Sequence, residues 1–136
     1  MKRTATAIWN GSGKEGNGNL TTQSKVLSNT SYDFKSRFED GKFTNPEELV
    51  AAAHAGCFAM KLSFILGAAG FTPESLEATA TVTLGDGVIT SSNIELKAKV
   101  PGIDNEKFQA AAKEAKETCP ISKSLNTSVG LEATLV

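Results

Sequence analysis

The spacing of hydrophobic residues changes along this chain, and each change marks a different kind of element. Thr and aliphatic residues over Arg3 to Trp9 and over Leu20 to Leu27 flank the polar stretch GSGKEGNGN, which predicts a hairpin with a loose glycine loop. A third strand is expected over Ser31 to Phe38, after the turn-prone pair Ser28-Asn29. From Leu49 to Phe71 the pattern is helical, with apolar residues on nearly every side of the cylinder. The start of this helix is well marked: Asn45 can cap it, Pro46 suits its first position and Glu48 has capping-box spacing. Gly67, Gly70 and Thr72-Pro73 mark its end.

Beyond Pro73 the period drops to two. Leu76, Ala78, Ala80, Val82 and Leu84 alternate with polar residues, Gly85-Asp86-Gly87 turns the chain, and Ile94, Leu96, Ala98 and Val100 alternate again. Pro101-Gly102 ends this second hairpin, Asp104 caps a helix reaching about Thr118, and Val129, Leu131, Ala133 and Leu135 predict a last strand. The order β-β-β-α-β-β-α-β keeps strands in runs, so the predicted class is α+β, with antiparallel sheets packed on helices. With 136 residues and no linker or repeat, one domain spanning 1–136 is expected.

The long apolar segment has the length of a membrane span. It contains His54 and Lys61, however, and a lysine near the centre of a spanning helix costs roughly 3 kcal/mol. The expected role is a buried helix of a soluble protein. A chain this small can hardly cover an all-round apolar helix, and many of the residues are Ala or Gly, which permit close approach. A homodimer with this helix near the twofold axis is the simplest solution.

Charge narrows the function classes. The net charge is -1, the pI is about 5.8 and there is no basic block, so nucleic acid is not an expected partner. The N-terminal MKRTATAIWNGSG has no apolar core of a secretory signal, so a reducing cytoplasm is expected. There a permanent structural disulfide is improbable and a transient catalytic one is allowed.

The chain has two cysteines, Cys57 in the apolar helix and Cys119 before Pro120. They are either inert core residues or two halves of one redox device. Burial disfavours a thiolate, so Cys57 needs a positive neighbour to react. A guanidinium about 4 Å away at an effective dielectric near 20 contributes about 4 kcal/mol, enough to lower a thiol pKa by about three. Of the two arginines, Arg37 in SRFEDG is better placed in sequence than the terminal Arg3. Such an arginine needs a carboxylate anchor, and Glu47 is the nearest suitable one. His54 shares a helix face with Cys57, which raises a metal-site reading that carboxylates would have to complete. A satisfied interior histidine is the plainer one.

The strings NPEELVAAAHAGCFAM, RFEDG and TCPISK, in this order, closely resemble the OsmC/Ohr family of thiol-dependent hydroperoxide reductases. Arginine in RFEDG, not in the glycine loop, resembles the OsmC branch. The resemblance implies an OsmC-like fold around the long apolar helix, in an intertwined homodimer. It implies that Cys57 is the peroxidatic thiol, Cys119 the resolving thiol, Arg37 the group holding the thiolate, and Glu47 its orienter. The implied activity is reduction of organic hydroperoxides, and less well of hydrogen peroxide, to alcohols in defence against oxidative and osmotic stress. No metal or bound cofactor is implied, and electrons would come from a dithiol, in relatives often a lipoylated protein. Phe58, Met60 or Phe43 lining the pocket would favour organic peroxides.

Glu47 and Cys57 lie roughly 15 Å apart along one straight helix and about 80° around it, so both cannot serve one pocket from the same helix. Composite sites are therefore expected, with Glu47, alone or together with Arg37, donated across the dimer to the partner's thiol. A dimeric protein binding a hydrophobic small molecule at the same interface is the alternative class.

Overall fold

The computed structural model describes residues 1–136, and the backbone falls into two compact units, Met1–Leu49 and Val50–Val136. In the first, strands β1 (Ala5–Asn10), β2 (Asn17–Thr22) and β3 (Thr30–Tyr32) form an antiparallel sheet in sequence order. Gly18 of β2 lies beneath two aromatic rings, where a Cβ would come within 2.6 Å of both Trp9 and Tyr32. Only glycine leaves room for that cover.

The third strand is shorter than the sequence pattern suggests. It stops at Tyr32, and helix α1 (Phe34–Phe38) replaces the expected second half. Asp33 is the cause: its carboxylate accepts the Ser36 N–H at 2.8 Å and starts a helical turn, while the Phe34 and Phe38 rings stack at 4.9 Å across it. The second strand likewise ends at Thr22, where a turn with Lys25 at φ 64° takes over the residues up to Leu27.

Helix α2 (Pro46–Ala68) begins and ends where its signals lie. Asn45 accepts the Glu48 N–H at 2.8 Å, and its amide donates to the Ser36 carbonyl at 2.6 Å. The capping-box half is different: the Glu48 carboxylate accepts from the Thr44 hydroxyl. At the other end Gly70 takes φ 89°, the Phe71 N–H reaches the Leu66 carbonyl at 2.9 Å and the Gly70 N–H that of Gly67 at 3.0 Å. These two bonds make a Schellman stop that only glycine enters without strain.

In the second unit, β4 (Ser75–Gly85) and β5 (Val88–Lys99) form a long hairpin closed by Asp86-Gly87, both at positive φ. Helix α3 (Asn105–Thr118) follows, capped by Asp104, and leads through Cys119 into the short helix α4 (Pro120–Ser124). Strand β6 (Ser128–Leu135) then pairs with β5 in parallel, so the expectation of wholly antiparallel sheets is corrected at this pair. The connection through α3 and α4 makes parallel return possible. The class remains α+β.

The core joins α2, the β5 face and α3 through Phe58, Leu62, Leu66, Ile94, Leu96 and Phe108, each at most 1% exposed. On α2 the buried residues His54, Phe58, Leu62 and Leu66 recur every four positions, so only one stripe of this apolar helix is covered. Met60 and Phe64 are 65% and 71% exposed. The expectation of a buried helix thus holds for one face alone. Leu62→Ala should cost about 3 kcal/mol of stability, because it opens a void beneath packed neighbours. Urea unfolding measures this, and a loss below about 1 kcal/mol would mean that the site collapses around the smaller side chain.

Candidate active site

Packing within the second unit brings the two thiols together. Cys57 is half-buried on α2 beside the buried stripe, and Cys119 is fully buried where α3 ends. Their sulfurs lie 2.7 Å apart across 62 residues of sequence, and both are free cysteines. Cys119 closes one helix and opens the next: its N–H donates to the Ala115 carbonyl at 2.9 Å, and its carbonyl accepts from Lys123 at 3.0 Å. Pro120 at the first position of α4 leaves the following N–H groups free to face the sulfurs.

The two sulfurs are not electrostatically equal. Burial, then contact with Cys119, pushes the Cys57 thiol up from its ordinary pKa; the Ile121 N–H and Lys61 ammonium offset this only in part. Burial also raises Cys119. Against it act the hydrogen bond shared with Cys57, the Ser122 N–H and hydroxyl, and the Ile121 N–H, and the balance lowers the Cys119 pKa. Within the pair, the Cys119 pKa is lowered and the Cys57 pKa raised.

Helix α2 also carries a buried histidine, three residues before Cys57. His54 is fully enclosed, with Nδ1 2.6 Å from Ser92 Oγ of β5 and Nε2 2.7 Å from Ser122 Oγ of α4. Neither ring nitrogen is left for a metal, so the plainer expectation for this residue is the one the contacts fit. Its two serine partners, 38 and 68 residues away, carry no sequence signal.

The first unit holds the other expected pair. Arg37 comes from helix α1, not from the end of a strand, and grips Glu47 through two nitrogens: Nη2 to Oε1 at 2.9 Å, and Nε to both oxygens at 3.2 and 3.3 Å. The Glu47 side chain is 12% exposed and that of Arg37 41%, so the carboxylate is the fixed partner and the guanidinium the reachable one. Arg37 also stacks on Phe38 at 5.2 Å. A cavity of about 560 Å³ opens beside it, walled by Trp9, Tyr32, Phe34 and Phe38, an aromatic lining that strand alternation did not reveal. Phe58, expected at a pocket wall, is instead in the core, while Phe43 and Met60 are exposed.

Known proteins are similar to this α+β chain in sequence and in fold. Residues 39–134 match the family model described as OsmC-like protein. A peroxiredoxin OsmC of Escherichia coli strain K12 is 46% identical over 130 residues, covering 93% of this chain and 91% of that protein. A Staphylococcus epidermidis protein named organic hydroperoxide resistance protein-like 1 is 34% identical over 103 residues, or 71% of this chain and 74% of the relative. The crystal structure of the organic hydroperoxide resistance protein OhrB of Bacillus subtilis superposes with a TM-score of 0.70 at 28% identity, covering 96% of this chain and 98% of that one.

The chain belongs to the OsmC-like family. It is an oxidoreductase of the peroxidase type.

The buried histidine sets a pH dependence. Burial lowers the His54 pKa, so as pH falls through about 6.5 the unfolded chain takes the proton first. The stability tied to neutral His54 is complete above that pH and is lost below it. Urea titrations from about pH 7.5 to about 5.5 should show stability falling by at most about 1.4 kcal/mol per pH unit. His54→Gln, which cannot titrate, should flatten that slope; an unchanged slope would assign it to other groups.

Proposed function

We propose that this chain reduces organic hydroperoxides to alcohols, with Cys57 as the peroxidatic and Cys119 as the resolving thiol. The observation that carries the reading is the 2.7 Å separation of the two sulfurs. The Cys57 thiolate attacks the terminal peroxide oxygen, the O–O bond breaks, and the alkoxide takes a proton and leaves as the alcohol. Cys57 is then a sulfenic acid. The Cys119 sulfur attacks it, an S–S bond forms and water leaves. An external dithiol, a lipoylated protein among the candidates, reduces the disulfide by exchange and is itself oxidised. The cycle needs no metal or bound cofactor.

Cys57 requires help, because burial and its neighbour hold it as the thiol. Arg37, steadied by Glu47, is the proposed source, worth about 4 kcal/mol at about 4 Å. Glu47 and Cys57 stand ten residues apart on α2, roughly 15 Å along its axis, so we assign the Arg37–Glu47 pair of each site to a second copy. The bare face of α2 around Met60 and Phe64 supports that homodimer. The aromatic cavity beside Arg37 and the names of the relatives support an organic substrate over hydrogen peroxide.

Cys57→Ser should abolish dithiol-dependent peroxide consumption. Cys119→Ser should still form a sulfenic acid with one equivalent of peroxide, trapped by a dimedone-type reagent, but no internal disulfide by mass spectrometry. Arg37→Ala should lose at least about a hundredfold in kcat/KM, with Arg37→Lys recovering only part because it cannot grip Glu47 with two nitrogens. Full activity in Cys57→Ser would sink the thiol mechanism. For the assembly, sedimentation of the native chain should give twice the chain mass and Phe64→Glu should return it to one; a monomeric native chain rules out the shared site.

A further inference from the structure

The glycine loop has no part in the cycle above, yet it holds the chain's one tryptophan in place. Trp9 of β1 stands opposite Gly18 of β2, and Gly18 stands opposite Tyr32 of β3, so the three residues form one row across the sheet. Side chains two strands apart start roughly 9.5 Å from each other, too far for most pairs to touch. Here the middle residue has no side chain, and the Trp9 and Tyr32 rings close over it to 5.3 Å between centroids. The indole is also tied at its polar edge. Trp9 Nε1 donates to the Ser12 carbonyl at 3.1 Å, and the same oxygen accepts the Gly16 N–H at 2.8 Å. Gly16 passes so near the indole that a Cβ there would sit 2.9 Å from Nε1. With its one polar atom engaged by the loop, the ring offers only carbon elsewhere.

This aromatic pair is one wall of the cavity of about 560 Å³ beside Arg37, and Phe34 and Phe38 of α1 form another. The volume is that of a small-molecule site, roughly 300 to 1,000 Å³. Charge at the cavity is balanced: Lys14 of the loop and Asp33 line it with opposite signs, and Arg37 has Glu47 at 2.9 Å. An anionic group therefore meets no net attraction, whereas an uncharged ring gains stacked or edge-on contact with aromatic side chains.

We propose that residues 11–19 seat Trp9, and that Trp9 and Tyr32 form a subsite for an uncharged aryl group, which selects hydroperoxides carrying an aromatic ring over aliphatic and anionic ones. Arg37 lines the same cavity, so a ring held on this wall keeps its peroxide group in the compartment of the guanidinium. Trp9 touches the substrate and determines specificity. Gly16 and Gly18 are positioning residues that act through it.

The inference deepens the proposed peroxidase reading and rests on it, and two measurements keep the claims apart. Trp9 is the sole tryptophan, so its emission reports this cavity alone. In Cys57→Ser, which cannot turn over, 2-phenylpropan-2-ol should shift that emission with saturation, and tert-butanol at equal concentration should not. The carboxylate-bearing 4-(2-hydroxypropan-2-yl)benzoate should bind more weakly than the uncharged aryl alcohol. In turnover by the chain with both thiols, Trp9→Leu should lower kcat/KM for cumene hydroperoxide about tenfold relative to tert-butyl hydroperoxide, and Trp9→Phe should keep part of the preference. Gly18→Ala, which retains the indole but displaces it, should lower the same ratio. A merely structural role for Trp9 would slow both peroxides alike. An unmoved emission with 2-phenylpropan-2-ol, or an unchanged ratio in Trp9→Leu, overturns the subsite and leaves the peroxidase cycle standing. An unchanged ratio in Gly18→Ala overturns the seating by the loop, and if that variant does not fold, the two Trp9 variants decide the subsite alone. A saturable aryl response in a native chain that consumes no peroxide overturns the cycle and leaves the aryl subsite.

Discussion

Two sulfurs are held side by side with no cation bonded to either, and most of the second unit can be read as what that placement requires. A thiol in a low-dielectric site resists ionisation, so an apolar helix by itself would silence Cys57. What the fold supplies instead is a set of dipoles. Helix α3 ends at Cys119, Pro120 starts α4 at once, and the N–H groups of Ile121 and Ser122 face the thiols from the new helix. Below, β5 brings Ser92 under His54, which closes the polar cluster with no buried side-chain polar atom left unpaired. The cluster is polar, buried and satisfied, a combination that holds a geometry more firmly than apolar packing alone.

The other constraint is the apolar helix itself. One stripe of α2 is sealed by the core, and Met60 and Phe64 project from the remainder. Burying such a side chain yields about 1.5 to 3 kcal/mol, so these two from each of two copies would contribute about 6 to 12 kcal/mol. Bringing two chains together costs about 4 to 15 kcal/mol in lost freedom. The two residues alone do not guarantee the proposed dimer. In that dimer the exposed Ala52, Ala53, Gly56 and Gly67 elsewhere on α2 would matter as much, because they let two backbones approach and gain contact without ordering long side chains.

The sequence was most legible where a local rule decides the outcome. Asn45-Pro46 and Gly70 fixed the ends of α2, Asp86-Gly87 fixed the β4–β5 turn, and Asp104 fixed the start of α3. It misled where one polar side chain outcompeted a pattern: Asp33 turned an apparent strand into α1 and moved Arg37 onto a helix. It was silent where partners are distant. The parallel pairing of β6, the meeting of Cys57 with Cys119 and the Ser92–His54–Ser122 contacts all depend on tertiary packing. Of the four residues expected at the site, the structure joins Arg37 to Glu47 and Cys57 to Cys119. Each pair lies within one compact unit.

The inequality of the two thiols carries a chemical consequence for the proposed cycle. The more easily ionised sulfur, Cys119, is fully buried, and the more accessible one, Cys57, is the harder to ionise. In the proposed cycle access would select Cys57, the more accessible sulfur, for the first step, and Arg37 would supply its charge. The same division serves the reset. An incoming dithiol would also reach Cys57 first, and attack there would expel Cys119, whose stabilised thiolate is the better leaving group. In the proposed cycle the dipoles that converge on Cys119 would thus assist both the formation and the opening of the disulfide, while the Ile121 N–H also eases ionisation of Cys57.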